Sequence, residues 1–419
     1  MTTSESAAPS TAFVWIWLPG AREPVVAGRV DHTPDTYVFT YGRSYLSRDD
    51  AIPLYLPELP LQRGRIQPVA DLTIAGCLRD AGPDAWGQRV ILARRLGHLD
   101  PGSDTGALSV LTYLLESGSD RIGALDFQHS ATDYLPRSPE HPTLQQMQDA
   151  AERLDAGERL PPALAEALLR GTSIGGARPK VTLLDDTGRP VIAKLSTQTD
   201  TYPVVKYEAV AMALAERVGV HVARTRMTRS MGKDVLLVDR FDRPGAGRRT
   251  LLVSALTILE LDEFTGARYG SYLDLADHVR ARFTDPTQTL AELFRRIVVN
   301  ICVSNTDDHA RNHAAFWDGA ALTLTPAYDI SPSLRSGDTA SQAMALTRDG
   351  RRTSRLELCR RSAADYLLTP AAANAIIDEV VTGIEAHFDE VAAQVGVTDA
   401  EHAQLWQRLI LHPSIHYKD

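Results

Sequence analysis

Short apolar runs alternate with turn residues over the first part of the chain. F-V-W-I-W-L (13–18), P-V-V-A-G-R-V (24–30) and T-Y-V-F-T-Y (36–41) are rich in β-branched and aromatic residues and are separated by Pro and Gly. This pattern predicts three strands. From 69 to 127 it turns more helical, with W-G-Q-R-V-I-L-A-R-R-L-G (86–97) ending on Gly97. Residues 128–143 hold three prolines among charged and hydroxyl residues, which reads as a linker or exposed loop and a domain boundary. A helical stretch over 143–170 follows.

The pattern then becomes more specific. K-V-T-L-L (180–184) and P-V-I-A-K-L-S (190–196) read as two strands joined by the turn D-D-T-G-R (185–189). Tyr207, Val210, Ala211, Leu214, Ala215 and Val218 recur at helical spacing, so a helix is expected over about 205–218, closed by Gly219. D-V-L-L-V-D-R-F-D-R (234–243) is a strand running into a polar connector. The second half is mainly helical, with one apolar stripe from Leu290 to Ile301 and another from Ile376 to Val391, the latter after the helix start Thr369-Pro370. Between them, A-A-F-W (314–317) and A-L-T-L-T (321–325) flank Asp318-Gly319, which predicts a hairpin.

Composition narrows the class without naming a function. Of 419 residues, 44 are Lys or Arg and 53 are Asp or Glu, so the net charge is 44 − 53 = −9. With 44% hydrophobic and 23% charged residues the chain is globular. Its mild acidity argues against nucleic acid as the main direct partner. Cys77, Cys302 and Cys359 are too scattered for a disulfide framework or a CxxC-type zinc site, which suits a reducing cytosol. No apolar run reaches the ~18 residues of a membrane span. Residues 1–12 lack basic residues followed by an apolar stretch and are read as a disordered lead-in, not a signal peptide.

The strongest chemical signal is N-T-D-D-H-A-R-N (305–312). Asp307 and Asn312 are five apart, the offset of the catalytic Asp and the metal-binding Asn in the protein-kinase catalytic loop. Phosphoryl transfer needs a cation and an oriented nucleophile, and a carboxylate with an amide oxygen suits Mg²⁺. Asp329, in P-A-Y-D-I-S (326–331), follows the predicted hairpin, where a kinase carries its second metal-binding Asp. Upstream, a Gly-containing loop (173–180) can bring backbone N–H groups to phosphates. Lys194 ends the second strand of the hairpin, and Glu208 on the next helix is placed to pair with it. Asp239 and the connector 240–242 occupy the position of a nucleotide hinge. Each piece alone is common; their collinear order is the signal. The Asp307, Asp308, His309 and His313 cluster also admits a metal-dependent phosphohydrolase. The loop alone admits a small-molecule or lipid kinase, and an inactive kinase-fold binding module is a further alternative.

N-T-D-D-H-A-R-N, P-A-Y-D-I-S-P-S, V-D-R-F-D-R and S-I-G-G-A-R-P-K together resemble the HipA family of Ser/Thr kinase toxins. F-T-Y-G-R-S-Y-L (39–46), A-G-P-D-A-W-G (81–87) and S-D-R-I-G-A-L-D-F (119–127) resemble that family's N-terminal subdomain, so the likeness spans about 13–410. It implies an α+β, two-lobed, protein-kinase-like fold with a β-rich N-terminal subdomain (13–127), an N-lobe (144–243) and a mostly helical C-lobe (244–419). It implies a bacterial cytoplasmic enzyme that moves the γ-phosphate of ATP, with Mg²⁺, to a Ser or Thr of a protein such as an aminoacyl-tRNA synthetase. It also implies a small helix-turn-helix antitoxin of the HipB type, through which alone it would meet DNA. By the same resemblance Asp307 is the catalytic base, and Asn312 and Asp329 are the metal ligands. Gly175, Gly176, Ala177 and Lys180 form the phosphate loop, and Lys194 contacts the phosphates. Asp239 and Phe241 contact adenine, Asp242 lies near the ribose and His309 near the nucleotide, while Ser173, with Thr172 as an alternative, is the autophosphorylated residue. Two departures stand out: the loop reads G-G-A-R-P-K where relatives vary around A-G-A-Q-x-K, and Asp308 adds a carboxylate, read as structural or solvated.

Overall fold

The computed structural model describes residues 8–96, 104–137, 143–158, 160, 161, 164, 168, 178–198 and 200–418. The first sheet contains β1 (Thr11–Ile16), β2 (Val25–His32), β3 (Tyr37–Tyr41), β4 (Arg65–Ile66) and β5 (Leu125–Gln128) in the antiparallel order β4-β3-β2-β1-β5. Before it reaches β5 the chain forms, besides shorter turns of helix, α1 (Ala85–Leu96) and α2 (Val110–Glu116). Strand alternation sends Ala12, Val14 and Ile16 into the core. On the other face Trp15 and Trp17 meet Tyr134, with ring centroids 5.3 and 5.6 Å apart. Residues 129–137, part of the stretch read as a linker or exposed loop, thus run along the subdomain that precedes them. Arg137 fastens them by donating to Asp126 and to the Phe127 carbonyl at 2.9 and 2.8 Å.

The capped helix α3 (Leu144–Asp155) leads towards the second sheet, which holds β6 (Lys180–Leu184), β7 (Pro190–Leu195), β8 (Thr225–Ser230) and β9 (Lys233–Asp239) in the order β6-β7-β9-β8. The helix α4 (Val204–Arg217) packs against this sheet. Strand β8, T-R-M-T-R-S, carries no apolar alternation and is not expected from the sequence. It lies at an edge with one partner, and Ser230 is its only buried residue. Its turn to β9 places Met231 and Gly232 at φ 49° and 78°, as a tight two-residue hairpin requires.

A third sheet, β10 (Leu252–Ser254), β11 (Ala314–Trp317) and β12 (Leu322–Leu324), follows. Its expected Asp318-Gly319 turn is present. Gly319 lies at φ 103°, and a Cβ there would approach Ile52 of the first subdomain to 2.6 Å, so only glycine fits. The helical lobe is built from α5 (Tyr272–Arg282), α6 (Pro286–Cys302), α7 (Pro370–Val395) and α8 (Asp399–Leu405). Helix α6 starts with Asp285 as cap and Pro286 in its first turn, and α7 repeats the device with Thr369 and Pro370.

The N-terminal subdomain is tied to the connector after β9 by buried charge. Arg240 donates to Asp120 at 2.9 Å, to the Arg121 carbonyl at 2.7 Å and to Asp242 at 2.7 and 2.9 Å. Asp242 also accepts from Arg243 at 2.7 Å and from the Gly123 N–H at 2.8 Å. Burial opposes the charge on Asp120, but Arg240, Arg243 and Arg249 outweigh it and hold this carboxyl below its ordinary range. Removing one member of such a network leaves uncompensated buried charge, at a cost of about 3–5 kcal/mol. Arg240→Met is therefore expected to lower the denaturation midpoint severely. Arg217→Ala, which breaks the exposed Arg217–Glu390 pair, should cost under about 1 kcal/mol. Equal midpoints for the two variants in urea melts would refute the structural role assigned to this clamp.

Candidate active site

A cavity of about 490 Å³ opens between the second sheet, the third sheet and the first subdomain. Ile192, Val238, Leu252 and Phe241 give it apolar walls. Lys180, Lys194, Glu208 and Asp329 give it one strongly charged end.

Strand pairing explains the charge. Lys180 and Lys194 are directly opposed on β6 and β7. Lys194 pairs with Glu208 of α4 at 2.5 Å and with Asp329, which follows β12. Burial alone would push the Lys194 ammonium down, but Asp329 and Glu208 hold it above its ordinary value. Burial would raise Asp329, yet Lys194 and Lys180 pull it down to about 2. It is therefore ionised throughout the working range. Asp329 sits at φ 60°, a strained conformation for a residue other than glycine. The segment before it is anchored, with the Ala327 N–H bonded to the His221 carbonyl and the Ala223 N–H bonded to the Ala327 carbonyl. Lys180 faces Asp84 at 3.5 Å; burial lowers its pKa, opposed first by Asp84.

The loop after α6 supplies the other candidates. Asp307 is exposed and does not line the cavity wall, whereas His309, Arg311 and Asn312 do. Asn312 turns its amide N–H₂ back to the Asp307 carbonyl at 3.1 Å, fixing the two residues relative to each other. Partial desolvation raises the Asp307 pKa, with Asp329 and Asp308 adding to the rise and His309 opposing it.

Asp308 points elsewhere. It is buried, and one of its oxygens accepts from Tyr272 of α5, from Asn300 of α6 at 2.7 Å and pairs with His313 at 2.8 Å. It anchors the loop, as its structural reading requires. Asp308 and His313 engage each other there, which removes two ligands from the phosphohydrolase alternative. Among the described residues no group of three or more His, Cys, Asp or Glu is arranged to hold a metal ion.

At the hinge, Asp239 pairs with Arg226 at 2.8 Å, and Phe241 lies against Phe316 and Tyr328 with centroids 5.9 and 5.8 Å apart. Asp242 lines the cavity, but its carboxylate is engaged by Arg240, Arg243 and Gly123. Thr172, Ser173, Gly175, Gly176 and Ala177 lie outside the described residues. Sequence reasoning did not single out Asp84 or Arg311. Asp84 is the sole charge in the A-G-P-D-A-W-G run, and Arg311 adjoins Asn312; these were the available signals.

Comparison with known proteins agrees with this geometry. The model of the HipA-like C-terminal domain matches residues 172–388, and that of the HipA N-terminal domain matches 17–128. The chain belongs to the HipA family. A curated relative, the putative kinase Y4mE of Sinorhizobium fredii, is 25% identical over 343 residues, covering 76% of this chain and 77% of that protein. The HipA of Shewanella oneidensis MR-1, solved with HipB and its operator DNA, superposes at a TM-score of 0.68 with 18% identity, covering 97% of this chain and 100% of that one. The fold of this HipA-family protein is thus two-lobed and kinase-like. Among the described residues, no helix is long and apolar enough to cross a membrane.

The two adjacent aspartates should separate cleanly. Asp308→Ala strands the buried Tyr272, Asn300 and His313 groups and should cost about 2–4 kcal/mol. Asp307→Ala, at an exposed position, should change stability by less than about 0.5 kcal/mol. Chemical denaturation of the two variants checks this; a larger loss for Asp307→Ala would invert the assignment.

Proposed function

We propose that this protein is an ATP- and Mg²⁺-dependent protein kinase that phosphorylates Ser or Thr and acts as the toxin of a toxin–antitoxin pair. The observation that carries the reading is Lys194. Its ammonium touches both Glu208 and Asp329, residues 14 and 135 positions away, at the charged end of a cavity with apolar walls. That is the arrangement by which kinases hold a lysine against nucleotide phosphates.

The donor set fits the implied groups. Ile192, Val238, Leu252 and Phe241 offer flat apolar surface for a purine, and Lys180 and Lys194 offer cations for phosphates. Asn312 and Asp329 are hard oxygen donors that would hold Mg²⁺, which neutralises phosphate charge when bound. Asp307 is assigned to orient a substrate hydroxyl and accept its proton, and its exposure leaves the carboxylate accessible to a protein substrate. Glu208 keeps Lys194 aimed. Asp239 and Phe241 are assigned to the adenine side, His309 to the phosphate side, and Asp242 to holding the hinge against the N-terminal subdomain. The backbone of Gly175, Gly176 and Ala177 is assigned to the phosphates.

A HipB-type antitoxin is the proposed partner, supported by the whole-chain likeness to a HipA solved with HipB and operator DNA. The net charge of −9 supports contact with DNA through that partner alone. Ser173, or Thr172 beside it, is the proposed autophosphorylation site. A phosphate there adds about −1.5 to −2 charge next to the nucleotide phosphates and would drive the loop out of the site.

Asp307→Asn should lower transfer from γ-labelled ATP by at least ~100-fold while leaving the melting temperature unchanged. Near wild-type transfer would refute the assignment. The acid limb of the wild-type rate profile should lie above the ordinary carboxylate value of 3.8, since the Asp307 pKa is raised. Activity should fall as pH drops through that limb, because the base becomes protonated. Mass spectrometry after Mg-ATP incubation should find one phosphate within 171–180. An unmodified loop in an enzyme that still phosphorylates a substrate would remove self-inactivation and leave the kinase reading standing.

A further inference from the structure

Asp84 belongs to the N-terminal subdomain, yet its side chain is only 6% exposed and lines the cavity between the lobes. It precedes α1 and is fixed there twice. Its Oδ1 accepts the Gly87 N–H at 2.8 Å, and its carbonyl accepts the Gln88 N–H at 2.8 Å. An asparagine would serve both bonds equally well. The second oxygen is different. Oδ2 is buried without a hydrogen bond and instead faces the Lys180 ammonium at 3.5 Å. Arg311 of the catalytic loop lies within electrostatic reach of the same carboxylate. One acid from the first subdomain therefore stands between a cation of the N-lobe sheet and a cation of the C-lobe.

Helix capping does not account for that buried oxygen, because desolvating a carboxylate is costly unless a charge compensates it. Lys180 presents the complementary problem. It is buried, and it sits directly across the strand pair from Lys194, where like charges destabilise each other. Lys194 has Glu208 and Asp329 to balance it; for Lys180 the foremost carboxylate is Asp84, ahead of Asp329 and Glu208.

We propose that Asp84 is a positioning residue of the nucleotide site, holding Lys180 charged and aimed at the phosphates, so that the N-terminal subdomain completes the phosphate-binding half of the cavity. This rests on the nucleotide reading given above. The subdomain thereby becomes a working part of the site as well as an attachment to it. Any displacement of α1 changes the position of a phosphate-binding cation.

Two measurements at about pH 8, where ordinary carboxylates are ionised, test this on the full chain. In the first, wild type, Asp84→Asn, Lys180→Gln and the double variant are titrated with Mg-ATP and with adenosine by calorimetry. Asp84→Asn is expected to weaken ATP binding about three- to tenfold, the range of one ordinary polar interaction, with adenosine affinity unchanged. The double variant is expected to bind ATP no more weakly than Lys180→Gln alone. Additive losses, or equal weakening of ATP and adenosine by Asp84→Asn, would overturn the proposal. In the second, acylation of Lys180 by acetic anhydride is followed by mass spectrometry without nucleotide, with exposed Lys418 as internal standard. Loss of the counter-ion should make Lys180 a more reactive amine, several-fold faster in Asp84→Asn; an unchanged rate overturns the pairing. A wild-type chain that binds no ATP would refute the nucleotide reading, and the proposed role of Asp84 with it, while the labelling still decides whether Asp84 holds Lys180.

Discussion

The ammonium of Lys194 joins three parts of the molecule at one point. It arrives on β7 of the N-lobe sheet and meets Glu208 from α4 and Asp329 from beyond β12 in the C-lobe. Burial alone would disfavour the charged ammonium; Asp329 and Glu208 together hold it charged. Much of the surrounding architecture fixes those partners. Helix α4 is pinned to the C-terminal helix by Lys206 on Glu401 at 3.0 Å and by Tyr207 on Gln404 at 2.7 Å. The Asp329 segment is pinned to the loop after α4 through Ala327. The two lobes are thereby set against each other before any ligand enters.

A second layer of charge does for the first subdomain what Lys194 does for the lobes. Arg240 and Arg243 gather Asp120, Asp242 and the carbonyls of Arg121 and Gly123 into one network, so the hinge cannot move independently of the β-rich subdomain. Asp84 extends that dependence to the charged end of the cavity. The subdomain contacts the cavity at both ends, through Ile122 near the hinge and Asp84 near Lys180.

The parts written locally were legible in the sequence. The β6–β7 pair, α4, β9, the Asp318-Gly319 hairpin and α7 each carry their own period or turn residue, and each forms over the residues where it was expected. The order Lys194, Glu208, Asp307, Asn312, Asp329 was legible because the site is assembled in chain order. What escaped was set by tertiary contact. Strand β8 is polar and exists because β9 offers it an edge. The three residues of β10 are too few to show a period and depend on β11. Asp84 lies far in sequence from Lys180, and only packing brings them together. Asp242, which the family resemblance puts near the ribose, lines the cavity, and its engagement by two guanidinium groups could be seen only in the folded chain.

The central claim is that Asn312 and Asp329 form half of a metal site that nucleotide phosphates complete. Mn²⁺, which shares the preference of Mg²⁺ for oxygen ligands, can be followed by electron paramagnetic resonance with and without a non-hydrolysable ATP analogue. Two protein donors alone bind such an ion weakly. Tight Mn²⁺ binding should therefore appear only when the analogue is present and should be lost in Asp329→Asn. Equally tight Mn²⁺ binding without nucleotide, or nucleotide binding indifferent to the metal, would contradict the account.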